Sequence, residues 1–250
     1  MFSEINNDTL ACVVKSNPEF DAIIQTLIAQ NKQTTSIFVH ELRNPLSLLK
    51  GTLQYIETKH PEAKDYKYWN QLQDLVNDME RLMVDASLLN NYNYLSKESK
   101  DLIAFIGSIK NSFMPQAHTK QIDLALMITP GCEPYFETYS CDSIKLKQAL
   151  SNLIKNAFEA TSPGKFIHII LSYLPEEEPT PPKLSIEIQN NGFVIPEDEL
   201  DDIFTPFVTY KKSGTGVGLA IVKRIIDLHY GSIDVASNED TTSFTILLPV

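Results

Sequence analysis

A histidine followed by a glutamate, His40 and Glu41, is the pair of residues with the clearest chemical potential in this sequence. An imidazole has an unperturbed pKa of about 6.5, so at pH 7 it is mostly neutral and one ring nitrogen can act as a nucleophile. The adjacent carboxylate of Glu41 can orient the ring or accept its proton. A single histidine on a helix is also commonly structural or solvated, so the pair needs support from the rest of the chain.

Two asparagines four residues apart, Asn152 and Asn156, form a second candidate. This spacing places both amides on one face of a helix, and the other residues of that face are apolar. Amide oxygens can complete the coordination of a magnesium ion whose other ligands are phosphates and water. Buried asparagines also commonly satisfy backbone groups, so the spacing alone leaves both interpretations open.

Glycines at both ends of a long loop form the third candidate. Residues 190–196 follow a predicted strand, and Gly192 permits a tight turn there or the close approach of a ligand to the backbone. The loop ends at Gly214, Gly216 and Gly218, which open a predicted helix. Backbone N–H groups at a helix N-terminus, together with the helix dipole, bind anions. The two stretches therefore predict a loop that covers bound phosphates.

Two long amphipathic helices position the histidine. Apolar residues recur at three- and four-residue steps over residues 18–59 and again over about 64–90. Pro45 lacks a backbone N–H and predicts a bend or a looser turn just beyond His40, and Pro61 separates the two helices. The pattern predicts an antiparallel hairpin, and two hairpins from separate chains would form a dimeric four-helix bundle. The alternative is that both helices pack on the domain that follows.

The remainder of the chain alternates helical and strand patterns. Helices are predicted at 102–114, 142–160 and 218–230, and strands at 122–128, 166–173, 184–189, 232–236 and 243–248. Residues 90–100 are polar and predict a linker, and Gly231 is predicted to end the last helix. The pattern predicts an α+β fold, an α/β sandwich with helices on one face of a sheet. We therefore divide the chain into a short N-terminal segment (1–17), the helical hairpin (18–93) and a second domain (94–250).

Composition limits the classes of function. The chain has 250 residues, 43% of them hydrophobic, and a formal net charge of −11, which argues against a nucleic-acid binder and a polybasic membrane anchor. Cys12, Cys132 and Cys141 form neither a disulfide framework nor a zinc spacing. No apolar run has the roughly 18–20 residues needed to cross a bilayer. We expect a soluble, cytoplasmic protein with no nucleic-acid partner and no membrane insertion.

These stretches together resemble, in order, the motifs of the bacterial sensor histidine kinases of two-component systems. The resemblance runs from about residue 31 to the C-terminus. Within this family, the chain is similar in character to the sporulation-type kinases. The matching motifs are His40–Leu46 (H-box), Asn152–Asn156 (N-box), Asn190–Pro196 (G1 box), Phe204–Phe207 (F-box) and Gly214–Gly218 (G2 box). The last four resemble the Bergerat-type ATP-binding fold, which gyrase and the heat-shock chaperone Hsp90 share.

The resemblance implies an ATP-dependent protein histidine kinase that uses Mg2+. It implies that His40 accepts the phosphoryl group, that Glu41 is its general base, and that Asn44 positions water when the partner is dephosphorylated. It also implies that Asn156 coordinates magnesium and that Asn190 meets the adenine amino group. The other residues implied to bind ATP are Asn152, Lys155, Gly192, Phe204, Phe207, Lys211, Lys212, Gly214, Thr215, Gly216, Gly218 and Leu219.

The implied assembly is a homodimer that passes the phosphoryl group to an aspartate of a response-regulator receiver domain or a phosphorelay protein.

Two positions depart from the family pattern, because Asn190 and Val194 stand where the G1 box usually has Asp and Gly. One alternative is therefore a nucleotide-poor regulator or phosphatase scaffold that binds a response regulator, although the N-box and G2 box are intact. A second alternative is an ATPase that drives conformational change. That class needs an acidic general base where this chain has Asn152.

Overall fold

The computed structural model describes residue 26 and residues 41–91, 95–176, 181–211 and 215–250, with the backbone alone for residue 81 and residues 84–91. Its contacts divide the chain into two units, Met1–Asn91 and Tyr92–Val250. The predicted acceptor His40 and the predicted N-terminal segment 1–17 lie outside the described residues. Among the described helices, none is both long and apolar enough to cross a membrane.

The first unit contains two helices joined by a short turn. Helix α1 covers residues 41–59 and is helical without interruption through Pro45, so the predicted bend stays a prediction. A 3-10 helix follows at Pro61–Asp65, and α2 covers Trp69–Asn91. The prediction that the second helix begins near Lys64 is wrong. Pro61 starts a tight 3-10 turn, and the extended backbone of Tyr66 (φ −71°, ψ 132°) interrupts it before α2 can begin.

The hairpin buries one apolar stripe and leaves another exposed. Its core consists of Leu46, Leu53, Ala63, Trp69 and Val76, with Ile56 and Met83 packed against it. Two residues on a different side of α2, Leu75 and Met79, are each 53% exposed. The apolar seam predicted along α2 is therefore only partly used within one chain, because Val76 is buried and Met79 is not.

The second unit contains seven strands and five helices among the described residues. The strands are β1 (Glu98–Lys100), β2 (Asp123–Ile128), β3 (Tyr139–Cys141), β4 (Phe166–Leu174), β5 (Lys183–Asn190), β6 (Ser232–Ser237) and β7 (Thr242–Pro249). The helices are α3 (Leu102–Lys120), α4 (Glu133–Phe136), α5 (Ser143–Ala160), α6 (Glu197–Leu200) and α7 (Gly218–Leu228).

Five strands form a mixed sheet in the order β2-β4-β5-β7-β6, and β1 pairs with β3 in a separate two-stranded sheet. In the large sheet β2 is parallel to β4, and the other neighbours are antiparallel. Alternate residues of β4 are buried, and helices α5 and α7 contact each other and the sheet. The α+β prediction is therefore confirmed. The prediction of a linker over residues 90–100 is wrong for residues 98–100, which form strand β1. This strand could not be predicted, because three polar residues are too few to show alternation.

Two helix ends differ from prediction. Helix α3 passes through Pro115 and ends at Lys120 rather than at residue 114, with Gln121 in the left-handed region (φ 54°, ψ 45°). Helix α7 ends at Leu228 rather than Tyr230, and the left-handed residue there is Tyr230 (φ 61°). Gly231 instead donates its N–H to the carbonyl of Ile226 (3.0 Å), which completes a Schellman motif with tyrosine at the position glycine usually takes.

Candidate functional site

Helix α5 places the two N-box asparagines. Asp142 caps its N-terminus, since its Oδ1 accepts the backbone N–H of Lys145 (3.1 Å). Apolar side chains of α5 are buried in the second unit, including Leu146, Leu150 and Leu153. Asn152 and Asn156 are half-buried, one helical turn apart. The helix thereby presents two amides at the border between the core and solvent.

Asn152 touches the first residue of α7. Its Nδ2 donates to the carbonyl oxygen of Gly218 (3.3 Å), so the predicted N-box and G2 box are in contact. The N-cap position of α7 is Val217, whose side chain has no acceptor for the first N–H groups of the helix. Helix α7 has 11 residues, long enough to present a helix dipole. The arrangement offers backbone donors to an anion beside Asn152.

Asn156 is linked to the loop before α7. Lys211 Nζ donates to Asn156 Oδ1 (3.1 Å) and forms an ion pair with Glu159 Oε2 (2.5 Å). The amide oxygen of Asn156 therefore accepts a hydrogen bond from a cationic group. Glu159 belongs to none of the motifs in the sequence, although its spacing of three residues from Asn156 places both on one helical face.

The G1 loop (residues 190–196) begins with a buried amide. Asn190 is 2% exposed at the end of the central strand β5, and its Nδ2 has no hydrogen-bond partner. Two residues later, a Cβ added to Gly192 would lie 2.2 Å from the carbonyl oxygen of Ala160 and 2.7 Å from Asn190 Nδ2. Phe193 donates its N–H to the same carbonyl (2.9 Å). The loop is therefore held against the C-terminal end of α5, in a space that only glycine fits.

A second buried polar atom without a partner lies at that end of α5. Thr161 follows Ala160 as the C-cap residue, is 6% exposed, and its Oγ1 makes no hydrogen bond. Native proteins leave few buried polar groups unpaired, because each one costs free energy. Among the described residues one further such atom occurs, Trp69 Nε1 in the first unit. No sequence pattern distinguished Thr161.

Two hydroxyls fasten the G1 loop to the last two strands. Ile195 donates its N–H to Ser237 Oγ (2.9 Å), which is 2.6 Å from Thr242 Oγ1. Thr242 also donates to the carbonyl oxygen of Phe193 (3.5 Å). The loop thus has a fixed attachment on each side of Val194.

The two phenylalanines of the F-box differ in environment, since Phe204 is packed and Phe207 has a strained backbone. Phe204 is half-buried and meets Phe244 edge to face, with 6.3 Å between ring centroids. Phe207 is 59% exposed, adopts φ 69°, and donates its N–H to the carbonyl of Gly216 (2.9 Å). Gly216 also has φ 69°, and a Cβ there would lie 2.6 Å from the carbonyl oxygen of Val208. The hydrogen bond between Phe207 and Gly216 therefore joins the F-box to the G2 box, two residues before α7 begins.

The other predicted site residues are dispersed. Glu41 and Asn44 are exposed on α1 in the first unit, and Lys155 is exposed on α5. Thr215 and Leu219 are half-buried on either side of the glycines, whereas Lys212 and Gly214 lie outside the described residues.

A buried histidine that the sequence analysis did not single out joins the C-terminal end of α7 to the N-terminal end of α5. His229 is 2% exposed, its Nε2 accepts the N–H of Asp142 (3.0 Å), and its Nδ1 lies 2.8 Å from the carbonyl of Ile225. Burial lowers the pKa of His229. Burial raises the pKa of the Asp142 carboxyl, but hydrogen bonds from Lys145 and from the N–H of Ser96 outweigh it and leave that pKa below its usual range.

Comparison with known proteins shows the family to which this chain belongs. The family of histidine kinase-, DNA gyrase B- and HSP90-like ATPases matches residues 141–250, which include the N-box, G1, F and G2 stretches. The solved catalytic domain of the histidine kinase ThkA is 31% identical, with a TM-score of 0.52, over 62% of this chain and 97% of that domain. The chain belongs to the sensor histidine kinases. The family and the Bergerat-type fold predicted from the motifs are therefore confirmed.

The similarity to curated relatives extends beyond the residues that the ATPase family matches. The sensor histidine kinase ZraS of Escherichia coli is 32% identical over 213 residues, which cover 84% of this chain and 44% of ZraS. Sporulation kinase D of Bacillus subtilis is 29% identical over 212 residues, which cover 84% of this chain and 40% of that protein. The chain thus spans less than half the length of these curated relatives.

Proposed function

We propose that this chain is an ATP-dependent protein histidine kinase that phosphorylates His40. From there the phosphoryl group would pass to an aspartate of a response-regulator receiver domain or a phosphorelay protein. The observation that carries the proposal is the buried, unpaired amide of Asn190 beside the close-packed Gly192, at the place where the family motifs predict the base of a nucleotide. A ligand with a hydrogen-bonding edge would satisfy that amide.

The remaining groups suit a triphosphate. The backbone N–H groups at the start of α7 would bind phosphate oxygens, since the side chain of Val217 cannot cap them. Lys211 would exchange its contacts with Asn156 and Glu159 for an anionic oxygen.

Asn156 would hold a magnesium ion. Its amide oxygen already accepts from an ammonium group, Lys211 Nζ (3.1 Å), which is the behaviour expected of a cation ligand. A bound magnesium ion would supply neutralisation of phosphate charge. The role of this chain is to place that oxygen on a rigid helix, one turn from Asn152.

The chemical step needs a nucleophile and a base from the first unit. A ring nitrogen of His40 forms a bond to the γ-phosphorus while the bond from that phosphorus to the β–γ bridging oxygen breaks, and ADP leaves with the electron pair. Glu41 takes the proton from the other ring nitrogen. Positioning and electrostatic stabilisation do most of the work in such transfers. When the protein dephosphorylates the response regulator, Asn44 would hold the water that hydrolyses the aspartyl phosphate.

A homodimer formed by the hairpin is part of this proposal. The exposed side chains of Leu75 and Met79 on α2, together with Leu49 on α1, form apolar surface that the chain's own core does not cover. Two such hairpins would bury it in a four-helix bundle.

Labelling with ATP tests the proposed activity. We expect incubation with γ-labelled ATP and Mg2+ to give an acid-labile, base-stable label that His40→Gln abolishes, while calorimetry shows unchanged ATP binding. His60→Gln is the matched control, because His60 is an exposed histidine at the end of α1 and its loss should leave the label intact. Acid-labile label persisting on the His40→Gln protein would falsify the assignment of the acceptor.

A further inference from the structure

We propose that Asn190 and Thr161 read the edge of the nucleotide base, and that this pair admits guanine and hypoxanthine nucleotides as well as adenine nucleotides. The inference rests on the proposed nucleotide binding and adds its base selectivity.

Both groups are built into the core yet lack partners. Asn190 and Thr161 are 2% and 6% exposed, and neither Asn190 Nδ2 nor Thr161 Oγ1 makes a hydrogen bond. Buried polar atoms without a partner are unusual, because burial removes water as an alternative partner. A ligand that enters the loop and offers complementary groups would pair both.

Gly192 brings Asn190 close to the backbone that immediately precedes Thr161. The carbonyl oxygen of Ala160, the residue before Thr161, lies 2.2 Å from the point where a Cβ of Gly192 would stand, and Asn190 Nδ2 lies 2.7 Å from it. The C-cap of α5 and the end of β5 therefore converge on this glycine. A side chain at position 192 would separate them.

Neighbouring polar side chains are already paired. Asn191 Oδ1 accepts the N–H of Phe166 (2.8 Å), and Thr242 Oγ1 lies 2.6 Å from Ser237 Oγ. In the register of the sheet Asn190 stands opposite Thr242, so the paired hydroxyl and the unpaired amide lie side by side. The amide of Asn190 is thus the group left for a ligand.

The chemistry of an amide explains the proposed selectivity. Adenine presents an amino donor next to a ring-nitrogen acceptor, whereas guanine and hypoxanthine present a carbonyl acceptor next to an N–H donor. A carboxylate can only accept, so an aspartate at this position would favour adenine and repel the carbonyl of guanine. The Asn190 amide offers one donor and one acceptor, and a half-turn about its Cβ–Cγ bond matches it to either edge.

Binding of diphosphates to the full chain tests the inference without turnover. We expect calorimetry with Mg2+ to give dissociation constants for ADP, GDP and IDP within about tenfold of one another, and Asn190→Asp to raise the preference for ADP over GDP by about tenfold or more. Asn111→Asp is the matched control, because it adds the same charge on the exposed side of α3 and should leave the ratio unchanged.

Thr161→Val provides an independent test that does not depend on the folding of Asn190→Asp. Valine has nearly the same shape without the unpaired hydroxyl, so the melting temperature of the free protein should stay the same or rise, while nucleotide affinity falls about threefold or more. A purely structural Thr161 would give unchanged affinity and would overturn its role.

The outcomes separate this inference from the function on which it rests. A wild-type preference for ADP over GDP above about a hundredfold would overturn the inference, and so would an identical ADP-to-GDP ratio in wild type and Asn190→Asp. If the wild-type chain binds none of the three diphosphates, the proposed nucleotide binding itself is wrong.

Discussion

Acid should destabilise the second unit through His229. In the neutral ring Nε2 accepts the N–H of Asp142 and Nδ1–H donates to the carbonyl of Ile225, so both nitrogens are used. A proton added to Nε2 would face the Asp142 N–H donor. Burial lowers the pKa of His229 below its unfolded value of about 6.5, so the unfolded chain binds this proton more readily. The stabilisation is therefore fully present above pH 6.5 and is lost as the pH falls below it.

The size of the effect follows from one proton. Stability should fall by at most about 1.4 kcal/mol per pH unit, and a folded ring that stays neutral throughout sets an upper limit of about 2 kcal/mol between pH 8 and pH 5. For a unit of this size that limit corresponds to a melting temperature lower by at most about 4–8 °C. The charged groups that face His229 are Asp142, which favours its protonation, and Lys97 and Lys145, which oppose it. The lowered pKa of Asp142 acts only below about pH 4, outside this window.

Calorimetry of the full chain at several pH values measures the effect. Trp69, the only tryptophan, lies in the first unit, so its fluorescence follows the hairpin separately. In His229→Gln the amide oxygen can still accept from Asp142 but does not titrate. We expect this variant to lose about 1–2 kcal/mol at pH 8 and to show a much flatter profile down to pH 5. His118→Gln, an exposed histidine on α3, should keep the wild-type profile. Equal pH slopes in wild type and His229→Gln would refute the reasoning.

Three further predictions concern the metal, the dimer and one helix end. Asn156→Ala should remove the magnesium dependence of nucleotide binding, because the ion loses a ligand oxygen; unchanged Mg–ADP affinity by calorimetry would contradict that role. Replacing Leu75 and Met79 together by Glu should give a monomer by light scattering with unchanged helical circular dichroism, whereas a wild-type chain that is already monomeric at tens of micromolar would argue against the bundle. Gln121→Gly should stabilise the second unit by about 1 kcal/mol, since glycine adopts the left-handed backbone there without strain; a lower melting temperature would contradict this.

Sequence patterns predicted those elements whose burial imposes a clear period. Strand β4 buries alternate residues, and α5 buries Leu146, Leu150 and Leu153 at helical steps, so both were found within one residue of their ends. Strand β1 was missed because its three polar residues owe their conformation to pairing with β3. The end of α7 was misplaced because tertiary packing places Tyr230, not a glycine, in the left-handed region.

The candidate site likewise contains residues that the motifs predict and contacts that only the folded structure shows. The motifs predict Asn152, Asn156 and Asn190 as site residues, since their spacing and order can be read from the sequence alone. The residues that contact these asparagines are brought to them by folding and cannot be read from the motifs. Glu159, for example, pairs with Lys211, which contacts Asn156. The unpaired state of Thr161 likewise depends on what surrounds its hydroxyl, which no local pattern encodes.

The attachment of the G1 loop by Ser237 and Thr242 means that the loop has its shape before a ligand arrives. A preorganised loop loses little conformational entropy on binding, so more of each contact's free energy appears as affinity. If the proposed nucleotide binding holds, the two hydroxyls on β6 and β7 would therefore influence how long a nucleotide stays bound. Substitutions in the β6–β7 hairpin can change residence time while every group that faces the base is unaltered.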